Sequence, residues 1–417
     1  MKLRRPLSLI LVLFCLSNFA CGNDDAISET PAPETPDETK LEDTASQGLE
    51  AKDIGPGEEK AVDTSNAGSD TLPIKEDIAT TASDAQTDSS ENDSKNTEAV
   101  DIPPAPPKEV RFVAFGDAGK GNSGQKAVAK AIKEKCDKDG CDFIMLLGDN
   151  IYDSGVDSVT DPQWQTKFEE PYAELDIVFR PSLGNHDNGG LTLGIGGPPI
   201  DVFGEGGGTG MEFARGDIQV EYSAVSEKWD MPSRYYDWVQ GSAHFYALDT
   251  NSMMFDQHAE QAEVMVEKIS QSTATWKIAY GHHPYVSNGR HGNAGSYDLP
   301  DWLGWLPSIL GDLGDTISGT AVKAGLETIV CSTGIDIYLS GHDHNRQWLP
   351  GPSSCSNVEF IISGAGATTT DFQNNQTAYY GDDKTPGFIW IKITDSTLHA
   401  EFIDTTGTIN FVRDLTK

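Results

Sequence analysis

The stretch Phe143-Ile144-Met145-Leu146-Leu147-Gly148-Asp149-Asn150-Ile151-Tyr152 decides the fold: an apolar run stops at a glycine, and side chains able to hold a metal follow at once. The same punctuation recurs elsewhere. Apolar runs beginning at Phe112, Ile177, Ile278 and Ile337 end at Gly116-Asp117, Gly184-Asn185-His186-Asp187, Gly281-His282-His283 and Gly341-His342-Asp343-His344. Short apolar runs closed by glycine read as buried strands. An α/β protein places its ligands in the crevice beyond the carboxyl ends of such strands. Carboxylate, amide and imidazole groups from separate strand ends are therefore expected to converge on one point.

Working outward, residues 109–115 read as a strand, 123–135 as a helix with Ala127, Val128, Ala131 and Ile132 on one face, and 142–147 as a returning strand. That order predicts two parallel strands joined through a helix. Further strands are expected at 244–249, 276–280 and 336–340, and helices at 257–269 and 320–329. Four closing runs, 358–363, 387–393, 398–403 and 409–413, predict a second sheet packed on the first and built from them. Residues 184–216 are crowded with glycine and lack a clear period, so they read as a long loop leaving the Asn185-His186 motif. The segment 301–313, with Trp302, Trp305, Leu306, Ile309 and Leu310, is apolar at helical spacing and reads as a packing helix at the core or rim.

The chain of 417 residues carries a formal charge of −35, which disfavours binding to nucleic acid. Residues 1–21 combine Lys2, Arg4 and Arg5 with an apolar stretch and then Ala20-Cys21, the pattern of an export signal too short to span a membrane as a mature helix. Cys21 stands where a bacterial lipoprotein is cleaved and lipidated, which predicts a protein held at the cell envelope or surface; simple secretion is the alternative. Residues 22–108 contain no Phe, Tyr or Trp and are rich in Asp, Glu, Ser, Thr, Ala and Pro, so they read as a disordered acidic tether ending in a Pro-rich spacer. The folded domain is then 109–417, expected to be monomeric. Apart from Cys15 and Cys21 four cysteines remain, and nearest-neighbour pairing joins Cys136 to Cys141 and Cys331 to Cys355 as structural disulfides.

The candidate ligands fall into two sets that share Asp149: Asp117, Asp149, Tyr152 and His344, and Asp149, Asn185, His282 and His342. A phenolate with two carboxylates suits a trivalent ion, while a shared carboxylate, an amide and two imidazoles suit a divalent transition ion. The expected cofactors are two metal ions, iron(III) beside iron(II), zinc(II) or manganese(II). Two such cations acidify a water and clamp the attacking and leaving oxygens of a displacement at phosphorus.

The strings Gly148-Asp149-Asn150-Ile151-Tyr152, Gly184-Asn185-His186-Asp187, Gly281-His282-His283-Pro284 and Gly341-His342-Asp343-His344-Asn345 resemble the purple acid phosphatases, most of all the short tartrate-resistant type. The similarity extends to Glu221 through Tyr236, to Ser363-Gly364-Ala365-Gly366 and to the closing strands, and covers the chain from Glu109 onward. The family usually follows its first Asp with Trp-Gly or Gly, where this chain has Asp117-Ala118-Gly119. Tyr152 separates this chain from related enzymes that lack a ligand tyrosine. The resemblance implies the calcineurin-like metallophosphoesterase fold, an α/β sandwich of two mixed β-sheets flanked by helices in four layers. It also implies an acid phosphatase acting on small phosphate monoesters, with His186 and His291 serving the substrate and leaving group. His283 and Asp343 are expected to support the site without being ligands. A phosphodiesterase or nucleotidase on the same site is the alternative within enzymes. A surface-displayed binding protein with a vestigial site is the alternative outside them, and the completeness of the ligand set weighs against it.

Overall fold

The computed structural model describes residues 109–189, 210–297 and 318–417. The export signal, the tether, Cys21, the most glycine-crowded part of the loop after Asn185 and the apolar segment 301–313 lie outside the described residues. No helix among the described residues is long and apolar enough to cross a membrane.

Strands β1 (Glu109–Phe115), β2 (Phe143–Leu147) and β3 (Phe179–Ser182) form the parallel part of one sheet. The helix α1 (Ser123–Asp139) links the first two. Asn122 caps it by accepting from the Gln125 backbone N–H, which satisfies a donor left open in the first turn. A second sheet holds β4 (Tyr236–Gln240), β5 (Ala243–Ala247), β6 (Trp276–Tyr280), β7 (Ile337–Ser340), β8 (Arg346–Pro350), β9 (Glu359–Ser363) and β10 (Tyr380–Asp382), in the order β10-β8-β9-β7-β6-β5-β4. The pairs β5–β6, β6–β7 and β7–β9 are parallel, and β4–β5, β8–β9 and β8–β10 antiparallel.

The closing strands do not assemble as expected. Of the four runs only β9 enters the second sheet. The strands β11 (Gly387–Thr394), β12 (Thr397–Asp404) and β13 (Ile409–Thr416) join the first, giving the order β13-β12-β11-β1-β2-β3. The cause is that β1 is buried and has an open edge opposite β2. β11 fills that edge with an antiparallel register from Glu109↔Thr394 to Ala114↔Ile389.

Residue alternation along each strand of the second sheet separates two cores. Phe245, Ile278, Tyr280, Ile337, Leu339 and Ile361 pack toward the first sheet, where Phe245 meets Phe112 and Phe143 edge-on with centroids 5.3 and 5.1 Å apart. Their neighbours Tyr246, Ala279, Tyr338, Phe360 and Ile362 share the other core with Met265 and Ile269 of helix α3 (Ala259–Gln271) and Val322 and Leu326 of helix α4 (Thr320–Leu326). On the far side of the first sheet, Val128 and Ile132 of α1 join the core. The layers are therefore helix, sheet, sheet, helix.

Both disulfides form as expected, Cys136–Cys141 and Cys331–Cys355, with sequence separations of 5 and 24. By loop-closure entropy these bridges are worth roughly 2 and roughly 3.5 kcal/mol. Denaturant unfolding of the two paired Cys→Ser variants is expected to rank them in that order with little change in turnover. A larger loss at the shorter bridge would show that chain entropy does not govern their contribution.

Candidate metal centre

The glycines that end the apolar runs are required by close approach. A Cβ on Gly184 would lie 2.5 Å from the Asp149 backbone nitrogen, and one on Gly148, at φ +86°, would lie 2.5 Å from His282 Nδ1. The bare Gly148 lets the end of β2 approach the His282 end of the second sheet, and the bare Gly184 lets the end of β3 lie against the Asp149 loop of its own sheet. Immediately beyond them Asp117, Asp149 and His342 adopt left-handed backbone with φ of 58°, 53° and 68°. Such conformations are costly for a non-glycine residue and gather at functional sites. Here they turn the side chains off the strand ends into the crevice.

The first expected set is assembled around Tyr152. Its hydroxyl lies 2.9 Å from Asp149 Oδ2, 2.9 Å from His344 Nε2 and 3.3 Å from Asp117 Oδ1. The second is assembled around His282, whose Nε2 lies 3.0 Å from Asn185 Oδ1, 3.0 Å from His342 Nδ1 and 3.4 Å from Asp149 Oδ1. Asp149 thus faces both groups, one oxygen to each. His282 Nδ1 sits 2.9 Å from the Leu147 carbonyl, which accepts its proton and leaves the Nε2 lone pair facing the cluster. His344 Nδ1 similarly meets the Thr368 hydroxyl at 3.3 Å.

The electrostatics ask for cations. Burial, with the charge of Asp149, pushes the Asp117 carboxyl up to about 8. Burial also works against ionisation of Asp149, but His282 and His186 outweigh it and hold that carboxyl down at about 2. Burial and the two carboxylates drive the Tyr152 phenol well above its ordinary range. Two buried carboxylates and a phenol cannot all ionise together without positive charge among them. The imidazoles are suited to ligation: burial, then Lys120, pushes His344 down to about 3, and burial, then His291, holds His342 well below its usual range. The donor set therefore fits two cations sharing Asp149. Asp117, Asp149 and His282 alone already place their donor atoms within 4.8 Å of one another.

The other two expected histidines lie at the rim. His186 packs its ring 4.4 Å from that of Tyr152, its Nδ1 is 2.6 Å from the Asp153 carbonyl, and its Nε2 is 4.0 Å from Asp149 Oδ2. His291 stacks on His342 with centroids 4.0 Å apart. Asp343 lies behind the cluster, accepting from the His291 backbone N–H at 2.9 Å and from the Ser287 hydroxyl, and so fixes the loop that carries His291. His283 packs its ring 4.7 Å from that of His342 and 5.0 Å from that of His282, with its Nδ1 2.9 Å from the Thr250 hydroxyl.

Three supporting residues were not singled out from the sequence. Asp187 accepts from the backbone N–H groups of Gly184, Asn150 and Ile151 at 2.8, 2.9 and 3.1 Å and from Gln219 Nε2 at 2.8 Å, tying the Asp149 loop to the Asn185 loop. Its presence inside a motif string was the one available signal. Thr250 accepts from the backbone N–H groups of His282 and His283. Gln219 lies on helix α2 (Phe213–Glu221), which overlaps the expected loop 184–216. Gly216 disguised that helix: it has no side chain because Asn188 and Arg234 press against it.

Comparison with known proteins follows from this geometry. A model of the calcineurin-like phosphoesterase family matches residues 110–346. The chain is 25% identical over 329 residues to tartrate-resistant acid phosphatase type 5 of Homo sapiens, covering 72% of this chain and 88% of that protein. It is 26% identical over 335 residues to purple acid phosphatase 4 of Arabidopsis thaliana, covering 73% and 83%. Among solved structures, purple acid phosphatase PPD1 from yellow lupin seeds superposes with a TM-score of 0.53 at 16% identity, over 75% of this chain and 54% of that one. GAP50, the anchor in the inner membrane complex of Plasmodium, gives 0.52 at 19% identity, over 74% and 89%. At these identities the structural likenesses speak to the fold.

Proposed function

The chain belongs to the calcineurin-like phosphoesterase family, and we propose that it is an exported acid phosphatase hydrolysing small phosphate monoesters at an iron-containing pair of metal ions. One observation carries the reading: Tyr152 joins Asp117, Asp149 and His344 on one side, while on the other His282 faces the second oxygen of Asp149 and gathers Asn185 and His342. Similarity to purple and tartrate-resistant acid phosphatases supports the monoesterase assignment.

When bound, the cations would supply a water acidified to near-neutral pKa and positive charge to hold the phosphoryl oxygens. The chain's own residues set the rest. Asp117, Tyr152 and His344 would hold the trivalent ion, and Asn185, His282 and His342 the divalent one. His186 and His291, outside both donor sets, are placed to bind the phosphate and to give a proton to the departing alkoxide. Export and attachment through a lipidated Cys21 are part of the proposal and rest on the pattern of residues 1–21.

The test is metal analysis of the purified protein with a panel of monoesters and diesters. An oxidised protein with a tyrosine on iron(III) is expected to be coloured, and Tyr152→Phe to lose that colour. A colourless, fully active wild-type protein carrying two zinc ions would remove the iron assignment and leave phosphoester hydrolysis in place. Faster turnover of diesters than of monoesters would move the substrate assignment to the phosphodiesterase alternative.

A further inference from the structure

Lys120 stands beside the donor cluster and plays no part in either ligand set. Its ammonium lies 4.8 Å from the centre of the Tyr152 ring and, among the described residues, forms no ion pair with a carboxylate. The position is held from below. Gly119 donates its N–H to the Asp149 carbonyl at 3.3 Å and accepts from the Tyr152 N–H at 3.0 Å, and a Cβ there would lie 1.9 Å from the Asn150 carbonyl oxygen. The turn carrying Lys120 therefore lies flush on the loop carrying Asp149 and Tyr152. The lysine is half-buried, and its charge opposes protonation of His344.

We propose that Lys120 is a specificity-determining residue whose ammonium binds a non-bridging phosphoryl oxygen of the substrate from the Tyr152 side and so favours phosphate monoesters over diesters. This deepens the function proposed above and rests on it. A monoester dianion presents three non-bridging oxygens and two negative charges near neutral pH. A diester has one charge, and a second alkoxy group replaces one of those oxygens. A fixed cation beside the phosphoryl site thus has more to hold in the monoester. A charge-assisted hydrogen bond of this kind contributes about tenfold or more in affinity.

The experiment compares the full chain, loaded with metal, with its Lys120→Met and Lys120→Arg variants. The substrates are 4-nitrophenyl phosphate and bis(4-nitrophenyl) phosphate, which share a leaving group, and inorganic phosphate binding is measured separately by calorimetry. With metal content equal, Lys120→Met is expected to raise the monoester KM and weaken phosphate binding each by about tenfold, with kcat for the monoester changed by less than about threefold. Diester kcat/KM is expected to change by less than about twofold, and Lys120→Arg to restore most of the phosphate affinity. Unaltered phosphate affinity, or equal losses on both esters, would overturn the proposal. If the wild-type protein cleaves neither ester, the proposed function fails, whereas phosphate affinity still reports on Lys120.

Discussion

Replacing Asp149 with Ala is expected to lower phosphoester turnover by at least about 10⁴-fold, equivalent to about 5.5 kcal/mol of transition-state stabilisation. The carboxylate is where the two halves of the centre meet, with Oδ2 2.9 Å from the Tyr152 hydroxyl and Oδ1 3.4 Å from His282 Nε2. Its removal deletes a donor from both halves and the charge that screens one cation from the other. Metal content measured beside turnover should fall from two ions per chain to one or fewer. Asp149→Asn keeps the shape and loses the charge, so it should retain more metal than the Ala variant. An Ala variant that still holds two ions and turns over within tenfold of wild type would show that the halves do not share this residue.

Replacing His291 with Ala is expected to separate proton donation from metal binding. His291 stacks on His342, yet the two sets of metal donors are complete without it. Positioned acid catalysis contributes on the order of 10²- to 10⁴-fold, most where the departing alkoxide is basic. Turnover of an alkyl phosphate should therefore fall by about that factor, and turnover of an aryl phosphate with an acidic phenol far less. Colour and metal content should stay near wild type. Equal losses on the two substrates would leave His291 a positioning role only, and loss of one ion would make it a ligand. The same comparison on His186→Ala reports on the other rim histidine, which lies nearer Asp149 and Tyr152.

The parts of the molecule legible in the sequence are those where chemistry and burial follow a local rule. Strand ends marked by glycine and a donor could be read directly, because the loops that meet there exclude a side chain at Gly148, against His282, and at Gly184, against Asp149. β8 was hidden because its sequence opens with Arg346 and Gln347, polar residues that are nevertheless fully buried. Arg346 gives its two terminal nitrogens to Asn410 and Asp382, and Gln347 is paired with Asn288, Ser287 and Asn345. All of these partners but Asn345 lie 36 or more residues away and leave no local pattern. The placement of β11, β12 and β13 was hidden for a related reason: alternation reports that a strand has a buried face, not which sheet edge it completes. At the site the donors could be read, but Thr250, Gln219 and the turn carrying Lys120 became visible only when the loops were folded onto one another.

The pairing of β1 with β11 also has a consequence for synthesis. Glu109 and Thr394, partners in that register and linked by a side-chain hydrogen bond, are 285 residues apart in the chain. Contacts of such separation are slow to form because a long loop must close before they stabilise anything. The first sheet, which positions Asp117 and Asp149, cannot gain its central antiparallel partner until synthesis has passed Thr394, 285 residues after Glu109. A nascent chain can display individual donor residues but not the finished cradle. Metal capture by the complete centre is thereby postponed until β11 has been made.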